Sequence, residues 1–194
     1  MVAALVAGGA DINAPVEADP CHLPAYTLLH WAAYSNAVDA IQVLAACGAD
    51  LEVRDATVDN SSLGRWTEFV GGGQTPLMVA AANGHVEAVE ALIAAGCNAN
   101  AGTTDWGSWS PKGATALEFA VVGPGSGCQP GAQNPEGLPA VVNALLAAGA
   151  VDVEYALEAA LHRHASEEML AALEAAVDDD SEEDEDEESG SDSD

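Results

Sequence analysis

Histidines, cysteines and one glycine-rich stretch are the residues of this chain that could do chemistry, and their spacing argues against each reaction in turn. His162-Arg163-His164 sets two imidazoles almost side by side, but ligation by adjacent exposed residues needs further donors to complete a metal's coordination. Cys21, Cys47, Cys97 and Cys128 form no Cys-x-x-Cys pair and no zinc-ligand spacing, so they read as reduced structural thiols. His30 has no serine, cysteine or carboxylate at a motif spacing that would make it a general base. The run Gly123-Pro124-Gly125-Ser126-Gly127-Cys128-Gln129-Pro130-Gly131 is turn-forming and lacks the Gly-Lys-Ser/Thr that cradles phosphates. The expectation is a chain with no catalytic residue, no cofactor and no metal.

The elements that carry these residues repeat. Gly9-Ala10-Asp11-Ile12-Asn13, Gly48-Ala49-Asp50-Leu51-Glu52, Gly96-Cys97-Asn98-Ala99-Asn100 and Gly149-Ala150-Val151-Asp152-Val153 each follow an Ala/Leu/Val-rich helical run. Thr27-Leu28-Leu29-His30-Trp31-Ala32-Ala33, Thr75-Pro76-Leu77-Met78-Val79-Ala80-Ala81 and Thr115-Ala116-Leu117-Glu118-Phe119-Ala120 precede the last three. Thr27 to Gly48 and Thr75 to Gly96 both span 21 residues. Such periodicity marks a stacked array in which no unit buries its apolar face alone. Alanine dominates and aromatics make up 5% of the chain, which suits thin helical layers better than a bulky globular core.

The third unit shows the physics. Thr75 caps a helix that begins with Pro76, where the missing N–H costs nothing. Leu77, Ala80 and Ala81 recur at helical spacing, and Asn83-Gly84 ends the helix. Val86 to Ala95 forms a second helix with Val86, Val89, Leu92 and Ile93 on one face, and Gly96 stops it. The words Thr-Pro-Leu-Met-Val-Ala-Ala, Asn-Gly-His and Ala-Leu-Ile-Ala-Ala-Gly resemble the ankyrin repeat, over about residues 2–153. Leu28 and Ala116 stand where that family has proline, and Met78 and Glu118 where it has histidine. The resemblance implies an all-α ankyrin-repeat solenoid of stacked helix–turn–helix units with extended inter-repeat loops. It gives His30 a structural place, hydrogen-bonded to the neighbouring turn, makes His85 a common residue of the turn between helices, and puts Trp31 in the core. Leu5 to Asn13 and Leu92 to Asn100 match the spacing that ankyrin proteins present to asparaginyl hydroxylases, though ordinary turn chemistry explains the same residues.

The expected organisation is a domain over 1–177 and a disordered acidic tail over 178–194. The domain holds a half repeat at 2–15, repeats at about 26–55, 74–101 and 114–153, and a degenerate cap at 154–177. In the cap, Tyr155, Leu157, Ala160 and Leu161 suit one helix. Ser166 caps a second that buries Met169, Leu170 and Leu173. The half repeat leaves Val2, Leu5 and Val6 uncovered, which points to truncation of a longer product, the alternative being that another segment or a partner covers them. The segment Met1–Val6 has no basic flank and does not read as a signal peptide, and no run of about 18 apolar residues occurs.

The gaps from repeat glycine to next threonine are 18, 27 and 19 residues, against about 12 expected from a period of about 33. Three inter-repeat loops are therefore extended, and by the resemblance they project as fingers beside the concave helical face. Trp66, Phe69, Trp106 and Trp109 lie on them; aromatic anchors of this kind mark interfaces or fold back as plugs. With Tyr26 and Tyr34 they form the expected partner-contact set.

The net charge is −28. Residues 178–194 carry 12 of the 32 acids, leaving 20 against 4 bases in the body. That field repels nucleic acid and anionic membranes and favours a basic partner. Ser181, Ser189 and Ser191, each with an acid three residues on, resemble sites for an acidophilic kinase of the casein-kinase-2 type. The expected function is a non-catalytic, monomeric interaction scaffold in the cytoplasm or nucleus. The alternative is an escort that holds a basic histone or ribosomal client through the tail.

Overall fold

The structure, a computed structural model, describes residues 8–16, 26–55, 73–103, 113–122, 132–163 and 165–182. Helices α1 (Leu28–Tyr34) and α2 (Val38–Ala46) form a hairpin, as do α3 (Pro76–Ala82) and α4 (Val86–Ala94). The pattern continues with α5 (Ala116–Val122) and α6 (Leu138–Ala147), then α7 (Val153–His162) and α8 (Glu167–Glu182). Helices α1, α3, α5 and α7 pack side by side in one row, and α2, α4, α6 and α8 in a second row against it. The fold is thus the all-α stack of helix pairs that the repeats imply.

Local chemistry sets the helix ends. The Met78 N–H donates to Thr75 Oγ1 (3.4 Å) and Pro76 opens α3. The Met169 N–H donates to Ser166 Oγ (3.3 Å), with Glu167 and Glu168 in the first turn of α8. Between α3 and α4, Gly84 takes φ +74° and its N–H bonds the Ala81 carbonyl, while the His85 N–H bonds Ala80. Asn36 does the same between α1 and α2 at φ 52°, with matching bonds to Ala33 and Ala32. Asparagine adopts this conformation more readily than most residues, and here its side chain bonds the next helix pair, donating to Glu87 (3.0 Å) and accepting the Ala88 N–H (3.1 Å).

Leu29, Ile41, Leu77, Met78, Val89, Leu92, Leu117, Leu145 and Leu173 fill the space between the rows. Ala33, Ala80, Ala81, Ala120, Ala156 and Ala160 are wholly buried where helices meet. Side chains this small let neighbouring helices approach closely, so many thin layers share one continuous core.

The turn at residues 9–13 and the turns after α2, α4 and α6 are laced together. Within a turn, the Asn13 N–H donates to Asp11 Oδ1 (2.9 Å), Glu52 to Asp50 (3.0 Å) and Asn100 to Asn98 (3.0 Å). Between turns, the Asp50 N–H donates to Asn13 Oδ1 (2.9 Å), Asn98 to Glu52 Oε1 (2.7 Å) and Val151 to Asn100 Oδ1 (2.9 Å). Val151 and Val153 then stand where earlier turns carry Asp/Asn and Asn/Glu, so the series has no acceptor with which to continue. The chain passes through Asp152 (φ 64°) straight into α7.

Two expectations about the last unit change. Tyr155 and Leu161 are exposed (49% and 56%), because α7 meets its neighbours through the alanines Ala156 and Ala160 instead. The α8 helix also runs to Glu182, through the first five residues assigned to the disordered tail. Extending an existing helix adds one bond per residue fixed, whereas starting one is unfavourable, so α8 overruns the compositional boundary. Met169 and Leu173 are buried as expected, with Leu170 half-buried.

Thr115 to Gly149 spans 34 residues where the first two pairs take 21, and the extra segment before α6 is tied to the pair before it. The Asn134 N–H donates to the Asn83 carbonyl (2.9 Å) and its side-chain amide to the Gly84 carbonyl (3.0 Å). A Cβ at Gly84 would collide with the Asn134 backbone carbonyl, whereas one at Gly96 (φ +96°) meets nothing within 4 Å. Gly96→Ala should therefore cost about 1 kcal/mol from the left-handed backbone alone. Gly84→Ala should cost clearly more; thermal melting of the two variants, with equal losses contradicting the clamp, checks this.

Candidate protein-binding surface

The three extended loops leave the stack from closed bases. Pro15 pairs antiparallel with Thr27, and the Val16 N–H donates to the Tyr26 carbonyl (2.8 Å). Asp55 exchanges backbone bonds with Gln74 (3.0 Å) and Gly73 (3.1 Å), and its carboxylate accepts the Gln74 N–H (2.6 Å). The Arg54 guanidinium donates to the Gly73 carbonyl (2.7 Å) at the same place. Thr103 does the equivalent with Ala114 (3.0 Å) and Gly113 (3.0 Å), its hydroxyl also accepting both amides. Each loop thus starts and ends on a fixed pair of residues. Trp66, Phe69, Trp106 and Trp109 lie on the fingers outside the described residues, as do Ser189 and Ser191; Ser181 falls in the last turn of α8.

Histidines join neighbouring units on the inner row. His30 Nε2 lies 3.0 Å from the Gln74 carbonyl and so carries the proton; Nδ1 takes the Thr27 hydroxyl (2.9 Å) and N–H (3.3 Å). Burial lowers its pKa from 6.5 to about 4, the Gln74 carbonyl only partly opposing the fall. The His85 ring bonds the Tyr34 carbonyl across to the first helix pair (3.0 Å). Both histidines therefore hold neighbouring units together, His30 as the resemblance implies and His85 beyond its expected place in the turn between helices. Asn13 and Asn100 are likewise occupied with the turn-to-turn bonds. Cys97 is half-buried and its thiol is pushed up to about 12, by burial first and the negative charge of Glu52 second, which leaves it unreactive.

Tyr26 drops out of the contact set. It is 1% exposed, stacked on the His30 ring (centroids 5.2 Å apart, planes 9° apart), because the Pro15–Thr27 pairing turns it into the stack. Tyr34 stays partly open. Trp31, assigned to the core, is half-buried, edge-on to both Tyr26 (5.6 Å) and Tyr34 (5.9 Å). With Leu28 (46% exposed) these residues recur every three positions along α1. The matching residues of α3, Pro76, Val79 and Ala82, are all buried. The open aromatic row is thus a feature of α1 and not of the repeat. Its sequence signal is the pair of aromatics three apart, Trp31 and Tyr34, where the next unit has Val79 and Ala82.

Among the described residues no group of three or more His, Cys, Asp or Glu could hold a metal, and no helix is long and apolar enough to cross a membrane. The geometry is that of a helical repeat protein, a stack of helix pairs laced at its turns. Residues 29–93 match the family model for ankyrin repeats in many copies, so this part of the chain carries ankyrin repeats. A search of curated proteins gives no match. Ankyrin repeats are generally protein–protein interaction modules and typically non-catalytic.

His30 makes stability depend on pH in a fixed direction. Its folded pKa is depressed, so its contribution is complete above pH 6.5 and lost as pH falls from 6.5 towards 4. The total is about 3 kcal/mol. His30→Leu should flatten that part of the stability–pH curve in chemical denaturation while lowering stability at pH 7. An unchanged slope would contradict a neutral, buried His30.

Proposed function

We propose that this ankyrin stack is a non-catalytic adaptor that binds one partner protein through the open inner face at α1 and the adjacent loop fingers. The observation that supports it is the row Leu28, Trp31 and Tyr34, apolar and open where the corresponding row of α3 is buried. Aromatic side chains already held edge-on lose little freedom on binding, which is what makes such residues strong interface anchors. Trp66, Phe69, Trp106 and Trp109, in the loops outside the described residues, are the further contacts this reading assigns to the partner. The chain acts as a monomer in the cytoplasm or nucleus, since its net charge of −28 opposes association with a second copy and selects a partner with a basic face. The same charge disfavours nucleic acid and anionic membranes.

A second reading is favoured by the acidic run: the chain escorts a basic client, such as a histone or ribosomal protein, through its C-terminal segment. Because α8 continues to Glu182, the variant that separates the two readings ends at residue 182, not 177. In affinity capture, the adaptor reading expects the same partner on 1–194 and 1–182. It expects at least a tenfold loss with Trp31→Ala/Tyr34→Ala at an unchanged melting temperature. A client lost on truncation, retained by the double variant and released by modest salt would replace the adaptor reading with the escort.

A further inference from the structure

Helices α1, α3, α5 and α7 share one register. Leu29 and Ala33 of α1, four apart and buried, correspond to Leu77 and Ala81 in α3, Leu117 and Val121 in α5, and Ala156 and Ala160 in α7. The residue before each pair is Leu28, Pro76, Ala116 or Tyr155. Leu28 and Tyr155 are exposed, whereas Pro76 and Ala116 are buried. The residue after each pair is Tyr34, Ala82, Val122 or Leu161. Leu161 is exposed and Tyr34 half-buried; Ala82 is buried and Val122 half-buried. Between these positions stand Trp31, Val79, Phe119 and Glu158, of which Val79 and Phe119 are buried. The inner row is thus open at its two ends, on α1 and α7, and largely closed on α3 and α5.

The two open ends differ in charge. At α1 the middle residue is Trp31; at α7 it is Glu158, whose side chain is 71% exposed between Tyr155 and Leu161. Glu154 is exposed on the same helix. His162 lies 3.9 Å from Glu158, longer than a hydrogen bond, and Arg163 gives its guanidinium to the Val122 carbonyl (2.9 Å). The Glu158 carboxylate is therefore free to take a cation from outside. An acid flanked by two exposed apolar side chains suits a Lys or Arg, whose alkyl stem lies on the apolar pair while its head reaches the carboxylate. The net charge of −28 extends that preference to the whole partner and opposes a second copy of the chain.

We propose that the α7 row is a second anchor site, and that the partner is one extended basic segment spanning the inner face. It seats an apolar side chain on Leu28, Trp31 and Tyr34, and a Lys or Arg on Tyr155, Glu158 and Leu161. The inference rests on the adaptor reading and adds the partner's chemistry and reach. Packed helices lie about 8–10 Å apart, so the three steps from α1 to α7 separate the two sites by about 27 Å. An extended chain advances about 3.3 Å per residue, which sets the anchors about eight residues apart. Pro76, Val79 and Ala116, buried between them, offer no apolar contact, so the spacer is selected for length and not for sequence.

The test selects binders of the full chain from a displayed library of random peptides and measures the selected sequences as synthetic peptides. They should carry a large apolar residue and a Lys or Arg about eight residues apart. Trp31→Ala/Tyr34→Ala and Tyr155→Ala/Glu158→Gln should each weaken binding about tenfold at an unchanged melting temperature. Glu158→Gln alone should weaken the selected peptide but not its Lys/Arg→Leu form, which isolates the charge pair. Shortening the spacer to about half should cost as much as losing one anchor, because the chain no longer reaches both sites. Peptides that need Trp31 and Tyr34 but ignore the α7 variants would overturn this inference and leave the adaptor reading standing. Peptides indifferent to both sets of variants would overturn both. A library that yields no binder, or only acidic ones, would overturn the extended basic segment alone.

Discussion

A side-chain oxygen on one turn that accepts the backbone N–H of the next is the contact on which the rest of the stack depends. The turns after α2, α4 and α6 lie outside any helix or sheet, so their amides have no regular partner. Asn13, Glu52 and Asn100 supply it, each one layer earlier than the amide it satisfies. The geometry of that bond fixes the separation of successive layers. With the separation fixed, alanines such as Ala80, Ala120 and Ala156 fill the gap between helices without voids. His30 and His85 repeat the device with ring nitrogens and backbone carbonyls, so the first and second helix pairs are tied at two further places.

Features decided by local chemistry were legible in the sequence. Thr75-Pro76, Gly84 and Ser166 act within one turn of themselves, and each does what its residue type dictates. Features decided by what lies alongside were not. Tyr26 precedes its helix and has no periodic position; its burial follows from the Pro15–Thr27 pairing and the His30 ring beneath it. Trp31 occupies a position that is buried in α3 and open in α1, and one repeat cannot reveal what covers the same position in another. Tyr155 and Leu161 look like the apolar face of α7, but Ala156 and Ala160 allow closer contact and take their place. Composition likewise marks Asp178 as the start of a solvated tail without showing that a helix already under way would continue through it.

The candidate surface follows the same division. The extended loops were legible as excess length between glycine and threonine, and their bases close on backbone pairs that any residue can make. The open row on α1 was only half legible: Tyr34 stood out as an aromatic on a helix, whereas Trp31 was absorbed into the repeat pattern. Binding by such a surface needs no reactive group. It needs apolar side chains held in place before the partner arrives, and the edge-on packing of Trp31 against Tyr26 and Tyr34 does that.

Backbone hydrogen exchange of the Asp50, Asn98 and Val151 amides in the native chain, compared with Asn100→Ala, would test whether the laced turns set the stack. If they do, all three amides are protected in the native chain, and Asn100→Ala exposes Val151 alone while Asp50 and Asn98 stay slow. Equal exchange at Val151 with and without the Asn100 side chain would show that helix packing alone holds the layers, and that the turn-to-turn bonds are a consequence of the stack and not its cause.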